Sequence, residues 1–89
     1  MVKDLRYAIA KRAILEGDVF LFRQIFNYIP RNIVARDANF KVRDFNFLLK
    51  NMGQFTFEQV YRIAALFDVD ELSILYLAAR QRRFDTREY

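Results

Sequence analysis

The stretch that most constrains this chain is residues 33–51, IVARDANFKVRDFNFLLKN, which holds two helical patterns too close together to be one helix. In the first, Ile33, Val34 and Ala38 supply apolar positions while Arg36 and Asp37 point outward. In the second, Phe45, Leu48, Leu49 and Met52 fall at i, i+3, i+4 and i+7, the buried stripe of an α-helix. Between them, at Ala38-Asn39-Phe40-Lys41, the chain has to reverse. Asn39 suits that reversal, because Asn tolerates a positive φ better than other non-glycine residues. Two short helices joined by so tight a turn follow the helix-turn-helix plan, whose second helix is able to enter a DNA major groove.

The rest of the chain is punctuated in the same way. Residues 2–16 have high helix propensity, with Leu5, Ala8, Ile9, Ala13 and Glu16 as the expected stripe, and Gly17 ends the helix as a left-handed cap. Asp18 is the expected cap of a second helix with stripe Phe22, Ile25, Phe26 and Ile29. Val19, Phe20 and Leu21 are apolar all round, which suits a central helix or one partly covered by another subunit. Pro30 stops that helix and opens the next. After the loop at Gly53 and Gln54, Thr56 caps a helix with stripe Phe57, Val60, Tyr61, Ala64 and Phe67, and Glu58 complements its positive end. Asp70 is the expected cap of a helix over 71–81, with Leu72, Leu75, Tyr76 and Ala79 on one face and Ile74, Leu77 and Ala78 on a second. The charged tail 82–89 is expected to fray. The fold class is therefore all-α, a compact bundle of five to six short helices in a single domain.

Composition narrows the function classes. A chain of 89 residues, 54% apolar and with ten Phe and five Tyr, has core material enough without staples. It has no Cys and no His, which removes disulfides, thiol chemistry, the commonest general base and the commonest metal ligand together. The one Ser, Ser73, has no accompanying base, so no catalytic residue is expected, and no cofactor or metal. The cluster Asp68, Asp70 and Glu71 lacks the Gly and alternating oxygens of a calcium loop and reads as helix capping. Apolar runs such as Val19 to Phe22 fall far short of the ~20 residues a bilayer requires. A cytoplasmic location is expected. The net charge of +4 is uneven: residues 1–50 carry +5 and residues 51–89 carry −1. That bias puts the positive excess in the half containing the turn, as a polyanionic partner requires.

The motifs also support a resemblance. Residues 34–75 resemble the helix-turn-helix domain of the Cro and lambda-repressor (XRE-like) family. Ala35 stands at the family's alanine in the first motif helix, and Asn39 stands at its turn glycine, followed by Phe40. Phe45 and Leu48 meet the anchors of the second helix. Thr56, Glu58, Ile63, Ala64, Phe67, Val69 and Asp70-Glu71-Leu72 match the capped helix and helix start that follow. The chain is also similar to small phage and mobile-element helix-turn-helix proteins of Bacteroidetes, whose "F..IF.YIP" segment is met by Phe22, Ile25, Phe26, Tyr28, Ile29 and Pro30.

The resemblance implies a core motif at about 31–79 and a sequence-specific DNA-binding protein, plausible as a transcriptional regulator acting on double-stranded DNA as a homodimer. Lys41, Val42, Arg43 and Asn46 would present to the groove, with 42, 43 and 46 on one face. Arg43 suits guanine and Asn46 suits adenine, each worth about 1–3 kcal/mol of discrimination. Lys41, Lys50, Arg31 and Arg36 would hold phosphates, and about four such contacts imply a log–log salt slope near −3 to −4. Two residues depart from the pattern. Asp44 would repel phosphate unless it serves the helix dipole. Phe47 falls on the polar face and is expected to pack away, although a thymine methyl or a protein contact would also suit it. The alternative function is a helical protein-interaction module or homodimer that binds a partner through Phe47 and the Val19, Phe20, Leu21 surface. The Arg80, Arg82, Arg83 and Arg87 cluster, interrupted by Asp85 and Glu88, reads as a solvated tail.

Overall fold

In the computed structural model, which describes residues 4–86, helices follow one another with no strand among the described residues. They are α1 (Arg6–Leu15), a 3-10 segment (Phe22–Asn27), α2 (Arg31–Asp37), α3 (Val42–Lys50), a 3-10 turn (Met52–Gln54), α4 (Phe57–Phe67) and α5 (Glu71–Thr86). The radius of gyration, 12.2 Å, is close to the roughly 12 Å of a packed chain of this length. No helix is long and apolar enough to cross a membrane among the described residues.

One device ends three of the helices. Gly17, Asn39 and Asp68 all take positive φ, at 81°, 64° and 55°. In each case the next backbone N–H reaches back five residues. Asp18 donates to the Ala13 carbonyl (2.9 Å), Phe40 to Ala35 (2.8 Å) and Val69 to Ala64 (3.1 Å). These are Schellman closures, which satisfy carbonyls that the helix itself leaves unpaired. The starts are set by side chains. The Asp4 carboxylate accepts from the Arg6 backbone N–H (2.9 Å). Thr56 and Gln59 form a reciprocal capping box, and Asp70 accepts from the Leu72 N–H at 2.8 Å. Pro30 stands directly before α2, and its carbonyl receives the Ile33 and Val34 amides.

The core is aromatic at its centre. Phe45 lies edge-on to Phe26 and tilted against Phe40, Phe22 meets Phe26 and Phe55 edge-on, and Tyr7 meets Phe67. Around them pack Ile25, Ile29, Val34, Ile63, Ile74 and Leu77, all essentially inaccessible.

Four sequence expectations change. First, of the stripe expected on α1 only Ala13 is buried; Tyr7 and Ala10 join it, while Leu5 (79% exposed), Ala8 and Ile9 (56%) face outward. Small residues let α1 approach α4 closely, and the Tyr7 hydroxyl is accommodated because Asp37 accepts its hydrogen bond at 2.8 Å. Residues 2 and 3 of the expected helix lie outside the described residues. Second, residues 18–21 are not helical. Val19 and Leu21 point inward and Phe20 outward, so the expected Val19, Phe20, Leu21 contact surface does not exist as a unit. The Gln24 side chain, not Asp18, caps the 3-10 segment, accepting from the Phe20 and Leu21 amides. Third, α4 buries Ile63 with Val60, Ala64 and Phe67, leaving Phe57 and Tyr61 in the open. Fourth, α5 runs on to Thr86; of its two expected faces Ile74, Leu77 and Ala78 is the buried one, joined by Gln81, while Leu72 and Tyr76 of the other are exposed. The extension is held from inside. Gln81, only 2% exposed, accepts from the Arg23 amide and donates to both Asp85 oxygens. Arg87 and Glu88 lie outside the described residues.

Candidate nucleic-acid interface

The segment between α2 and α3 is fixed from both sides. Asn39 supplies the left-handed step, and the Phe40 ring turns in against Phe45, 5.2 Å between centroids. From α4, the Arg62 guanidinium donates to the Ala38 carbonyl (2.9 Å) and lies 4.9 Å over the Phe40 ring. A carbonyl at a helix C-terminus is a favourable place for a cation. The same guanidinium carries a cost, because its Nε is shielded from solvent and has no acceptor. Arg62 was not among the expected site residues. Its signal in the sequence is a lone charge between the buried positions Val60 and Ile63 of an apolar helix.

Phe45 (1% exposed), Leu48 and Met52 anchor the inner side of α3 and its continuation. The outward ridge follows geometrically: Arg43, Asp44, Phe47 and Lys50 are all exposed, at i, i+1, i+4 and i+7. Lys41 and Val42 stand exposed at the entrance to the helix. Asn46 does not share that ridge. It is half-buried, and its Oδ1 is shielded and unpartnered, so the expectation that 42, 43 and 46 form one open face is revised. Phe47, expected to pack away, is 57% exposed in the middle of the ridge. The far end of α3 is closed by Asn51, whose Nδ2 donates to the Phe47 carbonyl at 2.8 Å.

Charge pairing separates the cations. Arg6, Lys11, Arg12 and Arg36 each have a carboxylate partner within 3.1 Å, and Arg23 has Asp85 at 3.8 Å. Arg31, Lys41, Arg43 and Lys50 have none among the described residues, nor does Asp44 pair with any of them. The unpaired set therefore includes every expected α2–α3 cation except Arg36. That residue is held by Asp37 at 3.1 Å, the same carboxylate that receives Tyr7. Burial and the neighbouring Asp37 push the Tyr7 phenol above its ordinary range. Close by, at the start of α1, hydrogen bonds from Arg6 hold the Asp4 carboxyl down to about 2.

A groove of about 480 Å³ runs beside the first half of α3, with Lys41, Asp44 and Phe47 on one wall and Gln59 and Arg62 on the other. Among the described residues no three carboxylates come together as a metal site would require. No protein-family model matches the chain, and no curated protein or solved structure matches it either.

Proposed function

We propose that this chain is a non-enzymatic, sequence-specific double-stranded-DNA-binding protein, in which α2, the Asn39 turn and α3 act as a helix-turn-helix with α3 as the reading helix. The observation that carries the reading is the set of unpaired cations on the exposed surface of α2 and α3. Arg31, Lys41, Arg43 and Lys50 have no carboxylate partner among the described residues, whereas the cations of α1 and of the 3-10 segment before α2 are paired. Arg43, on the open ridge, is suited to guanine; Lys41, Lys50 and Arg31 are suited to phosphates. Arg36 already spends its guanidinium on Asp37. Three phosphate contacts at about −0.9 each give a log–log salt slope of about −2.7. A module this small covers few base pairs, and a homodimer on two half-sites is the natural arrangement for a transcriptional regulator.

Selection of bound duplexes from a random pool, followed by a salt titration, tests the reading. Arg43→Ala should cost about 1–3 kcal/mol and relax preference at one base pair, whereas Lys41→Ala should lower affinity across all sequences and flatten the slope by about 1. Failure of the parent chain to enrich any duplex at low salt would overturn the proposal. The second reading, a protein-interaction module, is favoured by one observation: Phe47 places a large apolar group in the open at the centre of the ridge. Partner capture that is lost with Phe47→Ser while duplex binding is absent would support it.

A further inference from the structure

We propose that the pocket between the 3-10 turn Met52–Gln54 and the last turn of α5 is a binding site for a phosphate group, held by Lys50 and Arg82. The helical extension of α5 brings Arg82, Asp85 and Thr86 against that turn, and together with Lys50 they line a cavity of about 240 Å³. That volume lies below the ~300–1,000 Å³ of pockets that enclose whole small molecules. It suits one tetrahedral anion and its water.

Two cations line the space, and neither Lys50 nor Arg82 has a carboxylate partner among the described residues. The one acid on the wall, Asp85, is engaged from the other side. Both of its oxygens accept from the buried Gln81 amide, at 3.0 and 3.2 Å, and the Arg23 guanidinium lies 3.8 Å away. Arg23 is itself held over the Phe84 ring at 5.1 Å. The carboxylate is thus matched by Arg23, leaving the two pocket cations as the local excess.

Gly53 leaves room for the Arg82 side chain. A Cβ added there would fall 3.2 Å from Arg82 Nε and 3.3 Å from Cζ, closer than ordinary contact. Without it, the guanidinium lies directly against the backbone of the turn. A guanidinium fork offers parallel donors to two phosphate oxygens, and a lysine adds a point charge from the side. That combination of donors favours phosphate over a monovalent ion of equal concentration.

Two sources share this chemistry: a DNA strand passing the C-terminal end of α3, and free phosphate. A titration of the ¹⁵N-labelled chain with inorganic phosphate, against chloride at matched ionic strength, decides whether the site exists. Saturable shifts of the Gly53 amide and the Arg82 Nε–H are expected, with binding roughly tenfold weaker in Arg82→Gln. Arg82 is exposed, so the variant's spectrum away from the pocket should be unchanged and report an intact fold. Equal responses to chloride and phosphate, or an unaltered response in Arg82→Gln, would overturn the site. Because this arm uses no DNA, it stands or falls apart from the duplex reading. Repeating it with a selected duplex bound separates the sources: a suppressed phosphate response assigns the pocket to the DNA backbone, and a retained one assigns it to free phosphate.

Discussion

Replacing Arg62 by Met isolates what holds the α2–α3 turn in place. The substitution removes the hydrogen bond to the Ala38 carbonyl, a charge-assisted contact of about 1.5–3 kcal/mol. It also removes the stack on Phe40, worth about 0.5–1 kcal/mol at a partly exposed site. Against these losses it relieves the shielded, unpartnered Nε, whose desolvation costs about 1–3 kcal/mol. The balance is a destabilisation of about 1 kcal/mol, or roughly 4–8 °C in Tm for a domain of this size. The global figure is small because the terms oppose each other, so the decisive measurement is local. The Phe40 N–H bonds to Ala35 across the turn that Arg62 clamps, and the Val69 N–H makes the equivalent bond to Ala64 at the end of α4. In native-state hydrogen exchange, Arg62→Met should accelerate Phe40 beyond the global change and Val69 only by it. Equal acceleration of the two amides would refute the clamp and reduce Arg62 to a packing residue.

Three further outcomes follow from individual contacts. Asn39→Ala forces a Cβ-bearing residue without a compensating side chain to hold φ 64°, so denaturant melts should show a loss of about 1–2 kcal/mol, while Asn39→Gly stays within a few tenths; equal losses would exclude the left-handed step. Tyr7 has a folded pKa above its unfolded value of about 10, so its contribution is complete below pH 10 and declines as pH rises beyond it, when only the unfolded chain ionises readily; Tyr7→Phe should abolish that alkaline decline, and an identical decline in the variant would refute the assignment. On α1, Leu5→Glu and Ile9→Lys should each move stability by less than about 0.5 kcal/mol because both side chains are open to solvent, whereas Ala10→Leu should cost about 1–3 kcal/mol by overpacking against the core; the reverse order in urea melts would mean that α1 presents its other face.

What could be read from the chain, and what could not, divides by the range of the physics. Gly17, Asn39, Pro30, Thr56 and Asp70 act within a few residues of themselves, and each does in the fold what its local chemistry predicts. The choice of buried face on α1 and α5 is different. Both helices carry apolar residues on two sides; size alone favours Leu5 and Ile9 over Ala10, and on α5 it does not decide between Leu72 and Tyr76 and the opposite face of Ile74 and Leu77. The outcome is set by partners far along the chain. Asp37 makes it acceptable to bury Tyr7, and the Arg23 amide makes it acceptable to bury Gln81. Burying a polar group without a partner is costly, so these two long-range hydrogen bonds favour helix faces that apolar bulk alone would not select. The same reasoning bears on the candidate interface. The anchors Phe45 and Leu48 follow from spacing, which fixes the direction in which Arg43 and Lys50 project. Which of the basic residues remain available to a partner is a matter of pairing: Arg36 and Arg31 lie on the same short helix, yet Asp37 occupies one and leaves the other unpaired. Residue type proposes a contact with phosphate, and the nearest carboxylate determines whether the cation is free to make it.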